Sequence, residues 1–135
     1  LNLLGQREPG QYGQRSLQDI MQELEGFAGS CGVELEHFQT NSEGGMVDAI
    51  QQAGKDGIDY IIINPAGYTH TSVAIRDALL AVDIPFVEVH LSAVSSREPF
   101  RQVTYFSDIA IGVISGFRGE SYLLALQAIL NRIEP

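Results

Sequence analysis

The run Phe86–Ser92, Phe-Val-Glu-Val-His-Leu-Ser, constrains this chain more than any other stretch. It has the composition of a buried strand, yet it carries an acid and an imidazole two residues apart. Side chains alternate across a strand, so Glu88 and His90 share one face while Val87 and Val89 share the other. A carboxylate is costly to bury without a partner, and the histidine just along the strand supplies one. A carboxylate that holds an imidazole is a common way to prepare a general acid or base. The same pair would also serve as a structural ion pair at the end of a sheet.

Around that strand the chain alternates helices and strands. Ser16 caps a first helix with Asp19 in its opening turn, and Leu17, Ile20, Leu24, Phe27 and Cys31 repeat at helical spacing up to Gly32. Val33-Glu-Leu-Glu-His-Phe alternates like a strand with one more exposed face, where His37 reads as a solvated histidine. A second helix runs from about Glu43 to Ala53, carried by Met46, Val47 and Ile50. Tyr60–Asn64 is the apolar run of a strand covered on both faces. A third helix spans Thr71 to Val82, Pro85 precedes the Glu88 strand, and a last strand spans Ile109 to Ser115. Gly116 and Gly119 then lead to a helix with Tyr122, Leu126 and Ile129 on its apolar side. Without repeats or linkers, residues 1–135 read as one α/β domain with a mainly parallel sheet flanked by helices.

Composition narrows the function classes. A formal charge of −9 argues against nucleic acid, which needs a basic face to meet phosphates. No apolar run reaches membrane-spanning length. The lone Cys31 rules out an internal disulfide framework, suits a reducing, cytoplasmic setting, and by its place in the helical repeat reads as a core or interface thiol.

In parallel sheets ligands bind beyond the carboxyl ends of the strands, and the conspicuous polar residues collect there. Asn64 closes one strand and runs into Pro-Ala-Gly-Tyr-Thr-His70, and His90, Leu91 and Ser92 close the next. Arg97, Arg101 and Arg118 follow strands, and Arg7 sits in the opening loop. An acidic protein that gathers its few cations on one rim is suited to a small anion. Arginines also commonly solvate loops, which leaves a non-enzymatic anion-binding module of the same fold as the rival reading. Gly116-Phe-Arg-Gly119 lacks the spaced third glycine and lysine of a phosphate loop, so it reads as a tight turn. The serines lack a nucleophile elbow, and no close ligand spacing supports a metal on His70, His90 and Asp77.

These segments together resemble the type II 3-dehydroquinate dehydratases. The residues that carry the resemblance are Leu1–Gly13 (Leu-Asn-Leu-Leu-Gly-Gln-Arg-Glu-Pro-Gly-Gln-Tyr-Gly), Asn64–Ala78, Val87–Ser92, Arg97–Arg101, Gly116-Phe117 and Ser121–Leu126. They run in order along the whole chain. The resemblance implies a flavodoxin-like fold and a cofactor-free enzyme of the shikimate and quinate pathways. It implies anti elimination of water from 3-dehydroquinate, and trimers packed into dodecamers. Position by position it makes Tyr12 the base that removes the C2 proton and Arg7 the neighbour that lowers the Tyr12 pKa. Asn64 holds the water that stabilises the enolate. His90 becomes the acid that protonates the departing C1 hydroxyl, oriented by Glu88. Leu91 and Ser92 would hold the substrate carboxylate, His70 and Arg101 the ring hydroxyls, and Asp77 would reach a neighbouring subunit's site. Pro9 with Gly5, Gly10 and Gly13 would make the opening loop a hinged lid.

The chain departs from the family pattern in three places. It starts where the family's first strand has ended, and that strand lies between the second and third, so a sheet without it is expected to be split. Ala93, Ser95 and Ser96 stand where members often carry Asn, His and Ala. Arg118 replaces a small residue.

Overall fold

The structure is a computed structural model and describes residues 1–4 and 15–133. The opening loop with Arg7 and Tyr12, and the lid reading attached to it, lie outside the described residues. Helix α1, Leu17–Ser30, starts from a Ser16 cap whose side chain accepts from the Asp19 N–H while the Asp19 carboxylate accepts from the Ser16 N–H. This reciprocal bonding satisfies donors that a helix start would otherwise leave open. Helix α2 spans Glu43–Lys55 and α3 spans Val73–Val82, each capped by a serine side chain, Ser42 and Ser72. Helix α4 spans Glu120–Ile133. The strands are β1, Ile61–Ile63, β2, Phe86–His90, and β3, Gly112–Ser115. They form one parallel sheet in the order β1-β2-β3, with Ile63 opposite Glu88 and Glu88 opposite Val113.

Among the described residues, three parallel strands flanked by four helices make the expected α/β, flavodoxin-like architecture. Period-2 alternation along β2 divides the core. Val87 and Val89 pack with Ile20, Leu24 and Ala28 of α1 and with Tyr122, Leu126 and Ile129 of α4. Phe86 lies on the opposite side with Ile50 of α2 and with Ile75 and Leu79 of α3, together with Phe106. Glu88 and His90 share the Phe86 side by the same alternation. Every residue of β2 is buried, as a central parallel strand requires. Each large apolar side chain so enclosed contributes roughly 1.5–3 kcal/mol, which is what tolerates a carboxylate in their midst.

Two expectations are corrected. Val33–Phe38 forms no strand: Val33 and Leu35 face the core and the glutamates face out, but no strand among the described residues lies alongside. Alternation decides which side chains turn inward, whereas a strand also needs a neighbour for its backbone donors and acceptors. Cys31 is exposed and not in the core, because α1 ends at Ser30 and the backbone leaves the helical path there, turning through Gly32 at φ 73°. His37 is exposed as expected, 2.9 Å from Glu25.

The caps are where this scaffold is most easily tested. Ser72 is 1% exposed and its hydroxyl accepts from the Ile75 N–H at 3.0 Å. Ser72→Ala is expected to cost about 1–2 kcal/mol in urea unfolding, with an unchanged m-value. Full stability in that variant would show that α3 is held by packing alone.

Candidate active site

Glu88 has no exposed surface and His90 is 5% exposed, at the carboxyl end of the central strand. The two are joined by a hydrogen bond from His90 Nε2 to Glu88 Oε2, as the alternation along β2 predicts. Thr104 Oγ1 donates to the same oxygen at 3.0 Å, and Ser107 Oγ donates to Oε1 at 2.7 Å. Burial pushes the Glu88 carboxyl up. The bonds from His90 and Ser107, the charge of His90 and the bond from Thr104 outweigh it and hold the group below the usual glutamate range.

Beyond His90 the chain is fixed by its carbonyls. The His90, Leu91 and Ser92 carbonyls accept from the Gly116 N–H, the Arg118 N–H and the Ser115 hydroxyl respectively. These bonds set the peptide planes of Leu91 and Ser92, both of which are buried. Arg97 Nη1 donates to the Ser92 hydroxyl at 3.3 Å. The turn Gly116–Gly119 is a turn and not a phosphate loop: Gly116 and Arg118 have φ of 97° and 52°. A side chain at Gly119 would meet Ile20 at 2.6 Å.

The neighbouring strand contributes Asn64, one residue past β1. Its Oδ1 accepts from the Ala66 N–H at 3.0 Å and its Nδ2 donates to the Tyr122 hydroxyl at 3.1 Å. Tyr122 is pushed up to about 12, by burial against a weaker opposing effect of the Asn64 bond, so it stays a neutral phenol. The 3-10 turn Ala66–His70 ends on His70. A carbonyl can only accept, so the 2.6 Å contact with the Val103 carbonyl makes His70 Nδ1 the donor. Arg101 pairs with Glu98 at 2.5 Å and lies 5.0 Å from the Phe100 ring centre. Asp77 is exposed on α3 and enters no hydrogen bond with the groups around His90.

The structure thus brings Glu88, His90, Leu91 and Ser92 into one strand end, with Asn64 and His70 on the adjoining one. Asp77 stands apart, and Tyr12 and Arg7 lie outside the described residues. Three contributors escape a reading by pattern. Tyr122 looks like one more apolar position of α4, and Thr104 and Ser107 like ordinary loop hydroxyls. Only the return of the segment after Pro99–Gln102 across the strand end puts the two hydroxyls on Glu88. That segment is anchored by fully buried Phe106, by the Tyr105 N–H on the Thr69 carbonyl at 3.0 Å, and by Arg76 on Tyr105 and Asp108.

Comparison with known proteins finds relatives along nearly the whole chain. The sequence profile described as "Dehydroquinase class II" matches residues 1–130. A 3-dehydroquinate dehydratase of Legionella pneumophila is 58% identical over 134 residues, covering 99% of this chain and 92% of that protein. One from Sodalis glossinidius is 56% identical over 133 residues, covering 98% and 88%. The crystal structure of type II dehydroquinase from Butyrivibrio crossotus superposes with a TM-score of 0.94 at 39% identity, covering 96% of this chain and 90% of that one. With its fold and its sequence matched from end to end, the chain belongs to the class II dehydroquinase family.

Proposed function

We propose that this protein is a 3-dehydroquinate dehydratase, a hydro-lyase that removes water from 3-dehydroquinate to give 3-dehydroshikimate in the shikimate pathway. The observation that carries the assignment to residues is the buried Glu88–His90 pair at the end of the central strand, within a chain matched by this family almost throughout. The C2 proton lies beside a ketone, and Tyr12 removes it as phenolate, leaving an enolate. A tyrosine near its ordinary pKa of ~10 is protonated at neutral pH. Bringing it to ~7 takes about 4 kcal/mol of preferential stabilisation, which the Arg7 guanidinium, five positions away in the sequence, supplies. Growing enolate charge is met through water held by the Asn64 amide. The C1–O bond then breaks as His90 gives its proton to the leaving hydroxyl, and water departs. The Tyr122 hydroxyl and the Ala66 N–H keep the Asn64 amide in place for this task. The fixed peptides of Leu91 and Ser92 receive the substrate carboxylate, and His70 and Arg101 the ring hydroxyls.

No helix of the described residues is long and apolar enough to cross a membrane. The single free thiol of Cys31 suits a cytoplasmic setting, which is part of the same reading.

The exposed face of α3 supports a reading of the assembly. Val73, Asp77 and Leu80 recur at i, i+4 and i+7, and all three are exposed, so an acid sits in an apolar stripe on one face of the helix. In this reading that face borders a neighbouring subunit, where Asp77 completes the neighbour's site, in trimers that pack into a dodecamer. Light scattering on active enzyme is expected to give a multiple of three; a fully active monomer would exclude a shared site.

Kinetics test the roles. Purified protein should raise the absorbance of the conjugated enone when given 3-dehydroquinate, without added cofactor. His90→Ala and Tyr12→Phe should each lower kcat by about a hundred- to ten-thousand-fold, the range of a lost general acid or base. Glu88→Gln should lose less, since it transfers no proton. Near-normal turnover of Tyr12→Phe would assign the base elsewhere.

Acid stability tests the carboxylate. Its pKa is lowered in the folded state, so its stabilisation is complete above the ordinary 4.5 and is lost as pH falls through the folded value. In urea unfolding from roughly pH 6 down to 3, the stability gap between the protein and Glu88→Gln should close below that ordinary value. A gap independent of pH would mean that Glu88 is not ionised in the fold.

A further inference from the structure

Glu88 carries more hydrogen bonds than orienting a histidine requires. One contact with His90 Nε2 would align the ring, yet both carboxylate oxygens are also met by hydroxyls, Thr104 Oγ1 at 3.0 Å and Ser107 Oγ at 2.7 Å. The direction of the Thr104 bond is fixed by its other partner. Its oxygen accepts from the Phe106 N–H at 3.1 Å, so its proton is free for Glu88. Among the described residues the Ser107 hydroxyl reaches only a carboxylate, which when ionised can only accept. Both hydroxyls are therefore donors, and donors stabilise the charged form of the acid.

That matters because the Glu88–His90 hydrogen bond has two ends. In a fully buried pair the extra proton can rest on imidazole, giving carboxylate and imidazolium, or on the carboxyl, giving two neutral groups. Desolvation favours the neutral arrangement. Only the first supplies an acid strong enough to protonate a leaving hydroxyl, because a neutral imidazole releases its remaining proton far less readily. We propose that Thr104 and Ser107 form a paired-hydroxyl clamp on Glu88 that keeps the shared proton on His90, which makes them positioning residues for the dehydration. The clamp rests on the reading of His90 as the general acid. No other charged side chain hydrogen-bonds Glu88 among the described residues: Phe86, Ile63 and Phe106 enclose that side of the sheet, and Arg76 engages Asp108 and the Tyr105 carbonyl. Arg76 acts one step further out, holding the segment that presents the two hydroxyls.

Two substitutions separate the clamp from packing. Ser107→Ala removes one donor and little else. Thr104→Val removes the other with nearly unchanged shape but also strands the Phe106 N–H, so Thr104→Ser serves as its rescue. The first measurement is 15N NMR of the His90 ring, which distinguishes a protonated Nε2 from a bare one and needs no turnover. In Ser107→Ala the Nε2 signal should move toward the unprotonated form, and in Thr104→Ser it should stay as in the parent. The second is steady-state kinetics: Ser107→Ala and Thr104→Val should each lower kcat by about tenfold or more with KM within about threefold, and Thr104→Ser should recover. An unmoved Nε2 signal in a folded Ser107→Ala overturns the clamp. So does a parent-like kcat in that variant while His90→Ala is inactive. Should the parent fail to dehydrate 3-dehydroquinate, the functional reading falls; the NMR result still decides the clamp.

Discussion

A carboxylate with no exposed surface sits in the middle strand of this sheet, and the surrounding structure is arranged to keep it there. Left alone, a buried charge of this kind would take up a proton or unfold the strand. Instead it is met by an imidazole from its own strand and by two hydroxyls from a segment sixteen and nineteen residues further on. Those contacts tie the loop after the Pro99–Gln102 turn to the sheet. Phe106, fully buried between the two hydroxyls, is the apolar anchor of the same loop. Charge satisfaction and hydrophobic packing therefore select the same loop conformation.

The site around this pair divides between rigid and peripheral parts. Each polar group at the strand ends has its orientation set by another: the His90 to Ser92 carbonyls by the Gly116 turn and Ser115, the Asn64 side chain by Ala66 and Tyr122, the His70 ring by Val103. The Asn64–Tyr122 bond joins the end of β1 to α4, so a residue proposed to manage enolate charge is positioned by the same helix that fills one side of the core. Preorganised donors of this kind cost little reorganisation as charge develops, which is the condition under which hydrogen bonds accelerate a reaction most.

Much of this was legible in the sequence, for reasons that differ by residue. Glu88 and His90 could be placed on one face because strand alternation is strict, and Ser16 and Ser72 could be placed at helix starts because capping is local. Asn64 could be set at a strand end by the apolar run before it. The limits are equally physical. Val33–Phe38 has a strand's alternation but no strand alongside it among the described residues, and pairing is not a local property. Cys31 continues the helical spacing of α1 one residue past the point where the backbone stops being helical. Thr104, Ser107 and Tyr122 act through contacts sixteen, nineteen and fifty-eight residues away, which no periodicity records. The roles of Tyr12 and Arg7 rest on the match of the opening segment to the family.

In the proposed mechanism the acid is His90, and its place on the central strand suits that role. The acid must hold a proton beside a buried anion, and that balance survives only where neither partner can move relative to the other. A parallel strand locked between two neighbours provides such a place, with Ile63 and Val113 flanking Glu88 in register. The fold places the charge that must not move at the centre of the sheet.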